Sequence, residues 1–329
     1  MQNRVDGILV ENLIDLYYLT GLDLSLGRLV LKKRGSKLFV DGRYWEMCRN
    51  KSCIPVEKRE EFGPWVRGIK KLLYDSQTTT VDQLHKLEEL FPKKMVALPG
   101  LVKRQRAVKD PEEIVKMEKS ARLAWRGFQH IRKLLSVGVK EKDLALEFEL
   151  FCLKRGAQEM AFEPIIAFGE NSAMPHYRAG SRKLQKGDLV LIDVGVVVDH
   201  YASDMTEMVE FGTIDPRVKH MKRVVEQAFQ AAVAVCRPGV KVKEVDLAAR
   251  KVMRRAKMEE LFVHSLGHGV GLETHEFPLI RYNGPDHDEP LKEGMVLAIE
   301  PGLYLPKVGG VRHEETIVIT AQGSRCLKI

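Results

Sequence analysis

Cysteine is scarce and scattered in this 329-residue chain. Its five cysteines (Cys48, Cys53, Cys152, Cys236, Cys326) are odd in number and show no CxxC spacing. That argues against a disulfide framework and a thiolate zinc knot, and points to a reducing, cytoplasmic setting. Long apolar runs are missing as well. No stretch of 18 apolar residues occurs, and residues 1–6 lead into a strand-like GILV rather than an apolar core with a cleavage site. Neither membrane association nor export is therefore expected. Short-period repeats and low-complexity segments are also lacking, which removes solenoids and biased linkers.

What is present is the composition of a globular protein: 44% hydrophobic and 30% charged residues, in a length that suits two domains. The net charge of +8 is an N-terminal property, with 21 Lys and Arg against 14 Asp and Glu in residues 1–110. The main basic cluster, Lys32-Lys33-Arg34, runs into Gly35 and has no aromatics interleaved. It reads as a solvated hairpin tip, not a nucleic-acid surface.

The first hundred residues alternate short apolar runs with turns, an α/β layer pattern. Segments 7–10, 28–33 and 37–42 read as strands. Helices are expected to open at 42 and over 65–74, where Val66, Ile69, Leu72 and Leu73 share one face. Near residue 106 the character changes. Asp110-Pro111-Glu112-Glu113 combines an N-cap, a first-turn proline and acidic residues, predicting a helix over 111–135. The expected domains are 1–106 and 107–329. In the second, helices over 141–155, from Pro216 to Arg237, and over 242–258 make two helix pairs. Each is followed by strands (188–198, 202–210, 295–301, 310–320), an α+β pattern with two similar halves.

Acidic residues inside apolar strands are the informative anomaly. Asp193 sits in VLIDVG and Glu300 in VLAIEP, and a lone buried carboxylate costs several kcal/mol unless a partner or metal compensates it. Asp204, Glu314 and the segment HSLGHGVGLETHE, with His264, His268 and His275, add further donors. Glycines 267, 269 and 271 are expected to let backbone and ligand come close to His268. Four carboxylates and an imidazole suit two divalent cations of the Mn²⁺ or Co²⁺ type, with Zn²⁺ or Fe²⁺ as further occupants.

In order along the chain, LIDVG, SDMT, HSLGHGVGLETHE, IEPGLY and GGVRHEET resemble the motifs of the pita-bread dinuclear metallopeptidases. Asp204 follows Asp193 by eleven residues and Glu314 follows Glu300 by fourteen. The similarity is greatest to the Xaa-Pro aminopeptidase and prolidase branch, and residues 6–50 resemble that branch's creatinase-like N-terminal domain. The resemblance implies a pita-bread catalytic domain in which Asp193 chelates one metal, Asp204 and Glu314 bridge both, and His268 and Glu300 complete the other. It also implies that His176, His264 and His275 bind substrate and steady the transition state, with Arg312 among the substrate contacts. A hydroxide held between the metals is the implied nucleophile, and Glu300 the implied proton shuttle.

The implied protein is a dimer or tetramer acting on peptides with proline at the second position. His264 and Arg312 separate it from methionine aminopeptidases, and the five ligands separate it from metal-free creatinase-like members. Xaa-Pro aminopeptidase activity is the first expectation, prolidase the second, and a catalytically inactive peptide-binding module the third. The carboxylate of a dipeptide would need a cation, for which Arg312, Arg281 and Arg178 are available. Two departures stand out: Glu207 where the family commonly has Arg, and His313 where Ile is common.

Overall fold

The computed structural model describes residues 5–92 and 95–328. Residues 1–4, part of the expected lead into the first strand, lie outside them. The chain divides into two compact units, 1–106 and 107–329.

The first unit is built on a six-stranded mixed sheet in the order Val56–Lys58, Lys37–Val40, Arg28–Leu31, Gly7–Val10, Leu72–Asp75, Met95–Leu98. Arg28–Leu31 and Lys37–Val40 form the expected hairpin, with Gly35 at φ 74° in its connection. Both faces of the sheet are covered. Leu9, Val30, Phe39 and Leu72 pack into one core, and Val10, Leu29, Leu38 and Val40 into another, as the alternation of side chains along a strand requires.

The helix expected over 65–74 is not there. Phe62–Val66 is a short helix, and Leu72–Asp75 is a central strand parallel to Gly7–Val10. The apolar positions are the same in both readings. Gly68 weakens a continuous helix, and the parallel neighbours on either side supply a backbone pairing that local periodicity cannot reveal.

The second unit repeats one plan. Helices Pro111–Arg132 and Glu141–Leu153 precede the antiparallel sheet Met205–Phe211, Asp188–Val194, Ile165–Phe168. Helices Pro216–Val235 and Val242–Arg255 precede a five-stranded sheet containing Gly267–Gly269, Val296–Ile299 and Glu315–Thr320. The first helix starts where the sequence predicts: Asp110 and Glu113 form a reciprocal capping box ahead of Pro111. Met117, Ala121, Ala124 and Phe128 lie buried along its inner stripe.

Three long strands expected from the sequence are interrupted. The first breaks at Gly195, the second at Ser203-Asp204, and 310–320 at His313-Glu314, its two parts pairing in different sheets. Gly195 lies against the Ser203 carbonyl so closely that a Cβ there would overlap it. The glycines beside His268 also play a different part from the one expected. At Gly267 an added Cβ would strike the Ala298 carbonyl, and at Gly269 that of Phe277. Both are backbone atoms of the flanking strands, so these two glycines admit neighbouring chain rather than ligand. Gly267→Ala should accordingly destabilise the protein by about 1–3 kcal/mol in urea unfolding, through overpacking. Gly63→Ala, where an added methyl meets nothing within 4 Å, should stay within about 0.5 kcal/mol of the parent. Equal effects would contradict this account of the strand packing.

Candidate metal centre

The two halves of the second unit meet at strand ends, and the five acidic and imidazole candidates gather there. Asp193 is the penultimate residue of Asp188–Val194 and lies opposite Thr206 on Met205–Phe211. Asp204 occupies the break just before that neighbour. His268 is the middle residue of Gly267–Gly269, held between strands Glu276–Ile280 and Val296–Ile299. Glu300 follows Val296–Ile299 directly, its N–H donating to the Leu266 carbonyl at 2.8 Å. Glu314 precedes Glu315–Thr320 and bridges to Thr206.

Donor atoms of Asp193, Asp204 and Glu314 all lie within 4.8 Å of one another, as do those of His268, Glu300 and Glu314, and those of Asp204, His268 and His275. His268 Nε2 is 3.7 Å from Asp204 and 3.8 Å from Glu300, too far to hydrogen-bond but close enough to share an ion. Its Nδ1 contacts the Gly269 carbonyl at 3.0 Å, which turns Nε2 toward the carboxylates. Asp193 Oδ1 and Glu314 Oε1 are buried with no hydrogen-bond partner among the described residues. Orphaned carboxylate oxygens converging on a neutral imidazole are the donor set that hard or borderline divalent cations take. The residues therefore fit a two-metal site.

Around this cage runs a polar layer. Arg312 is buried; its Nη2 donates to Asp193 Oδ2, its Nη1 to the Tyr304 hydroxyl at 2.7 Å, and its Nε to Thr206 Oγ1 at 3.1 Å. Thr206 Oγ1 donates to Glu314 Oε2 at 2.7 Å. Tyr304 also contacts His264 Nε2 at 3.0 Å, and Arg250 donates to the His264 carbonyl at 3.2 Å. His275 is exposed, with its ring centroid 4.1 Å from that of His268. His176 is exposed too, an electrostatic neighbour of Asp193, His264 and His275. Arg178 and Arg281 are exposed; Arg178 faces Glu163 at 3.4 Å. Thr206 and Tyr304 had no expected role, although both lie within the recognised motifs. A hydroxyl in a strand carries no signal until its partner across the sheet is known.

Burial dominates the electrostatics. It raises the pKa of Asp193, against the opposing pull of Arg312. Asp204 and Glu314 rise well above the usual carboxylate range because burial is joined by mutual repulsion among the acids. Burial pushes Glu300 up to about 8. The same burial drives His268 down to about 3 and His264 to about 4, so both are neutral at pH 7.

These shifts give the metal-free protein a defined pH dependence. Carboxyls with raised pKa make the folded chain hold more protons than the unfolded one, so their contribution is lost as pH rises, for Glu300 between its ordinary 4.5 and about 8. The lowered histidines act in the opposite sense, with their contribution lost as pH falls below their ordinary 6.5. The melting temperature of the metal-free protein should therefore fall from about pH 7 to about 8.5. Added divalent metal should raise it more at the upper end, since the ligands bind deprotonated. A flat profile with a pH-independent metal effect would contradict the coupled cage.

Known proteins resemble this chain in sequence and fold. The model of metallopeptidase family M24 matches residues 115–321, and that of the creatinase/prolidase N-terminal domain matches residues 1–108. The Xaa-Pro dipeptidase of Pyrococcus horikoshii is 36% identical over 99% of this chain and 93% of its own. The structure of the prolidase from Pyrococcus furiosus superposes with a TM-score of 0.92 at 32% identity, covering 100% of this chain and 97% of the other. That of the X-Pro aminopeptidase from Thermotoga maritima MSB8 gives 0.90 at 29%, covering 99% and 96%. The chain belongs to metallopeptidase family M24, with a pita-bread catalytic domain and a creatinase-like N-terminal domain.

Proposed function

We propose that this protein is a metal-dependent Xaa-Pro dipeptidase. The observation that carries the reading is the extent of its similarity to a curated Xaa-Pro dipeptidase, 36% over 99% of the chain, together with a cage whose buried oxygens lack partners. The order of the two peptidase expectations is thereby reversed, with prolidase ahead of aminopeptidase. The fold likeness to an X-Pro aminopeptidase keeps the second reading in the test.

In this reading Asp193 would serve one ion, His268 and Glu300 the other, and Asp204 and Glu314, whose oxygens lie within reach of both groups, would be shared. Two divalent ions there supply Lewis acidity, polarising a scissile carbonyl and acidifying water. The chain's own groups do the rest. Arg312 and Thr206 fix the orientation of Asp193 and Glu314. Glu300 carries the most exposed carboxylate of the four, its side chain 17% accessible against 10% for Asp193, and is the one placed to take up the proton released by the attacking water and pass it to the leaving nitrogen. That nitrogen belongs to proline and, like any peptide nitrogen, must gain a proton as its C–N bond breaks. His264, His275 and His176 line the approach and orient the substrate carbonyl and carboxylate. The oxygen-rich donor set supports Mn²⁺ as the resident metal, and the five free cysteines support a cytoplasmic setting. A dimer or tetramer completes the proposal, on the resemblance alone.

The Mn²⁺-loaded protein should cleave an Xaa-Pro dipeptide faster than an Xaa-Pro-Xaa tripeptide, and a chelator should abolish both activities. Faster tripeptide cleavage would restore the aminopeptidase reading. Chelator-resistant turnover, or none with either peptide, would remove the metal mechanism. Glu300→Gln should lower turnover by about 10²–10⁴-fold, the range of a lost general acid–base. A variant within twofold of the parent would take Glu300 out of the proton path.

A further inference from the structure

Asp204 and Glu314 come from opposite sides of a weak seam. Asp204 adjoins Met205–Phe211, the edge of the three-stranded sheet, and Glu314 adjoins Glu315–Thr320 of the five-stranded one. Between those two strands the backbone makes a single bridge, Thr206 to Glu314, with long N–O distances of 3.4 and 3.3 Å. A hydroxyl bond from Thr316 to the Asp204 carbonyl, 2.8 Å, supports it. Metal donors must be held to about 0.5 Å to bind well, which asks more of this seam than its backbone provides.

The opposite face of the same seam carries an ion triad. Successive side chains on a strand point to opposite faces. With Thr206 and Glu314 turned to the cage, Glu207 and Glu315 point away from it. Lys328 Nζ lies 2.8 Å from a carboxylate oxygen of each. All three side chains are 15–19% exposed, and the ammonium sits over the Trp125 ring at 4.7 Å. Glu315 also accepts a hydrogen bond from the Cys326 thiol, and His313 lies 3.9 Å from it. Without Lys328 the two glutamates would face one another across the seam as like charges.

We propose that Lys328 is a positioning residue for the metal cage, clamping the strands that carry Asp204 and Glu314 from behind through Glu207 and Glu315. The inference rests on the two-metal reading above. It also gives Glu207 a role: where the resemblance leads one to expect an Arg on the strand itself, this chain has an acid and brings the cation from 121 residues away. An Arg side chain at that position would reach Glu315 directly and make the same link.

The test is titration of the metal-free protein with Mn²⁺, by calorimetry or competition with a fluorescent chelator, alongside the melting temperature of each metal-free variant. K328M should weaken Mn²⁺ binding by about 10–100-fold, the range for groups that orient metal ligands, while moving the metal-free melting temperature little. K328R should bind nearly as the parent does, and adding E207R to K328M should restore binding. E207Q, which leaves Lys328 paired with Glu315, should weaken binding in the same direction and serves if K328M fails to fold. Parent-like affinity in K328M or E207Q would overturn the proposal. So would a loss of affinity that tracks a fallen melting temperature and is rescued by neither K328R nor E207R. If the parent itself takes up no Mn²⁺, the two-metal reading falls and the clamp with it. Parent-like Mn²⁺ uptake without peptide cleavage would remove the dipeptidase reading and leave the clamp to be judged by the variants.

Discussion

Four carboxylates share one interior in this protein, and their mutual repulsion is the constraint around which the second unit is built. Asp193, Asp204 and Glu314 are buried, and Glu300 is partly so. Burial and proximity both penalise ionising them together, as the upward pKa shifts register. A single buried guanidinium, Arg312, answers part of that charge. It meets Asp193 directly and Glu314 through Thr206, while Tyr304 fixes its other end. Among the described residues one guanidinium faces four acids, too little to balance them all in their ionised form, and orphaned oxygens remain, the arrangement that divalent cations complete.

The backbone geometry serves the same end. Regular strands would keep side chains in two-residue alternation and spread the ligands apart. Here the strands stop at the ligands: Asp204 sits in a break, Glu300 just beyond a strand end, and Glu314 just before a strand start. His268 alone is central to a strand, and that strand is three residues long, with glycine on either side so that its neighbours can close in. Terminating strands at a common point lets donors converge from both sheets, but it thins the ladder there. Hydroxyl and ionic links then replace the missing backbone bonds, from Thr206, Thr316 and, on the outer face, Lys328.

Much of this was legible in the sequence, and the rest has identifiable reasons for not being so. Asp193 and Glu300 declared themselves because an acid in an apolar β-branched run violates the burial pattern. The helix beginning at Pro111 was marked by its own capping residues. Leu72–Asp75 reads as helix because apolar spacing at 66, 69, 72 and 73 satisfies a helical stripe as well as a strand, and only its parallel neighbours decide. Thr206, Tyr304 and Lys328 escaped notice because their meaning lies wholly in partners more than a hundred residues away or on another strand.

The fate of Arg312 shows how the cage limits substrate chemistry. Three of its nitrogens are engaged within the chain, by Asp193, Tyr304 and Thr206, and it is 3% exposed. To meet a substrate carboxylate as well, it would have to share an already committed group, or loosen the contact that balances Asp193. In the dipeptidase reading proposed above, recognition of the substrate carboxylate would then fall to the exposed rim, where His176 and His275 stand, with His264 held by Tyr304 and Arg250. On that proposed division the buried cation would shape the metal ligands and the outer imidazoles would meet the substrate, so that selectivity at the rim could change without disturbing the charge balance of the interior.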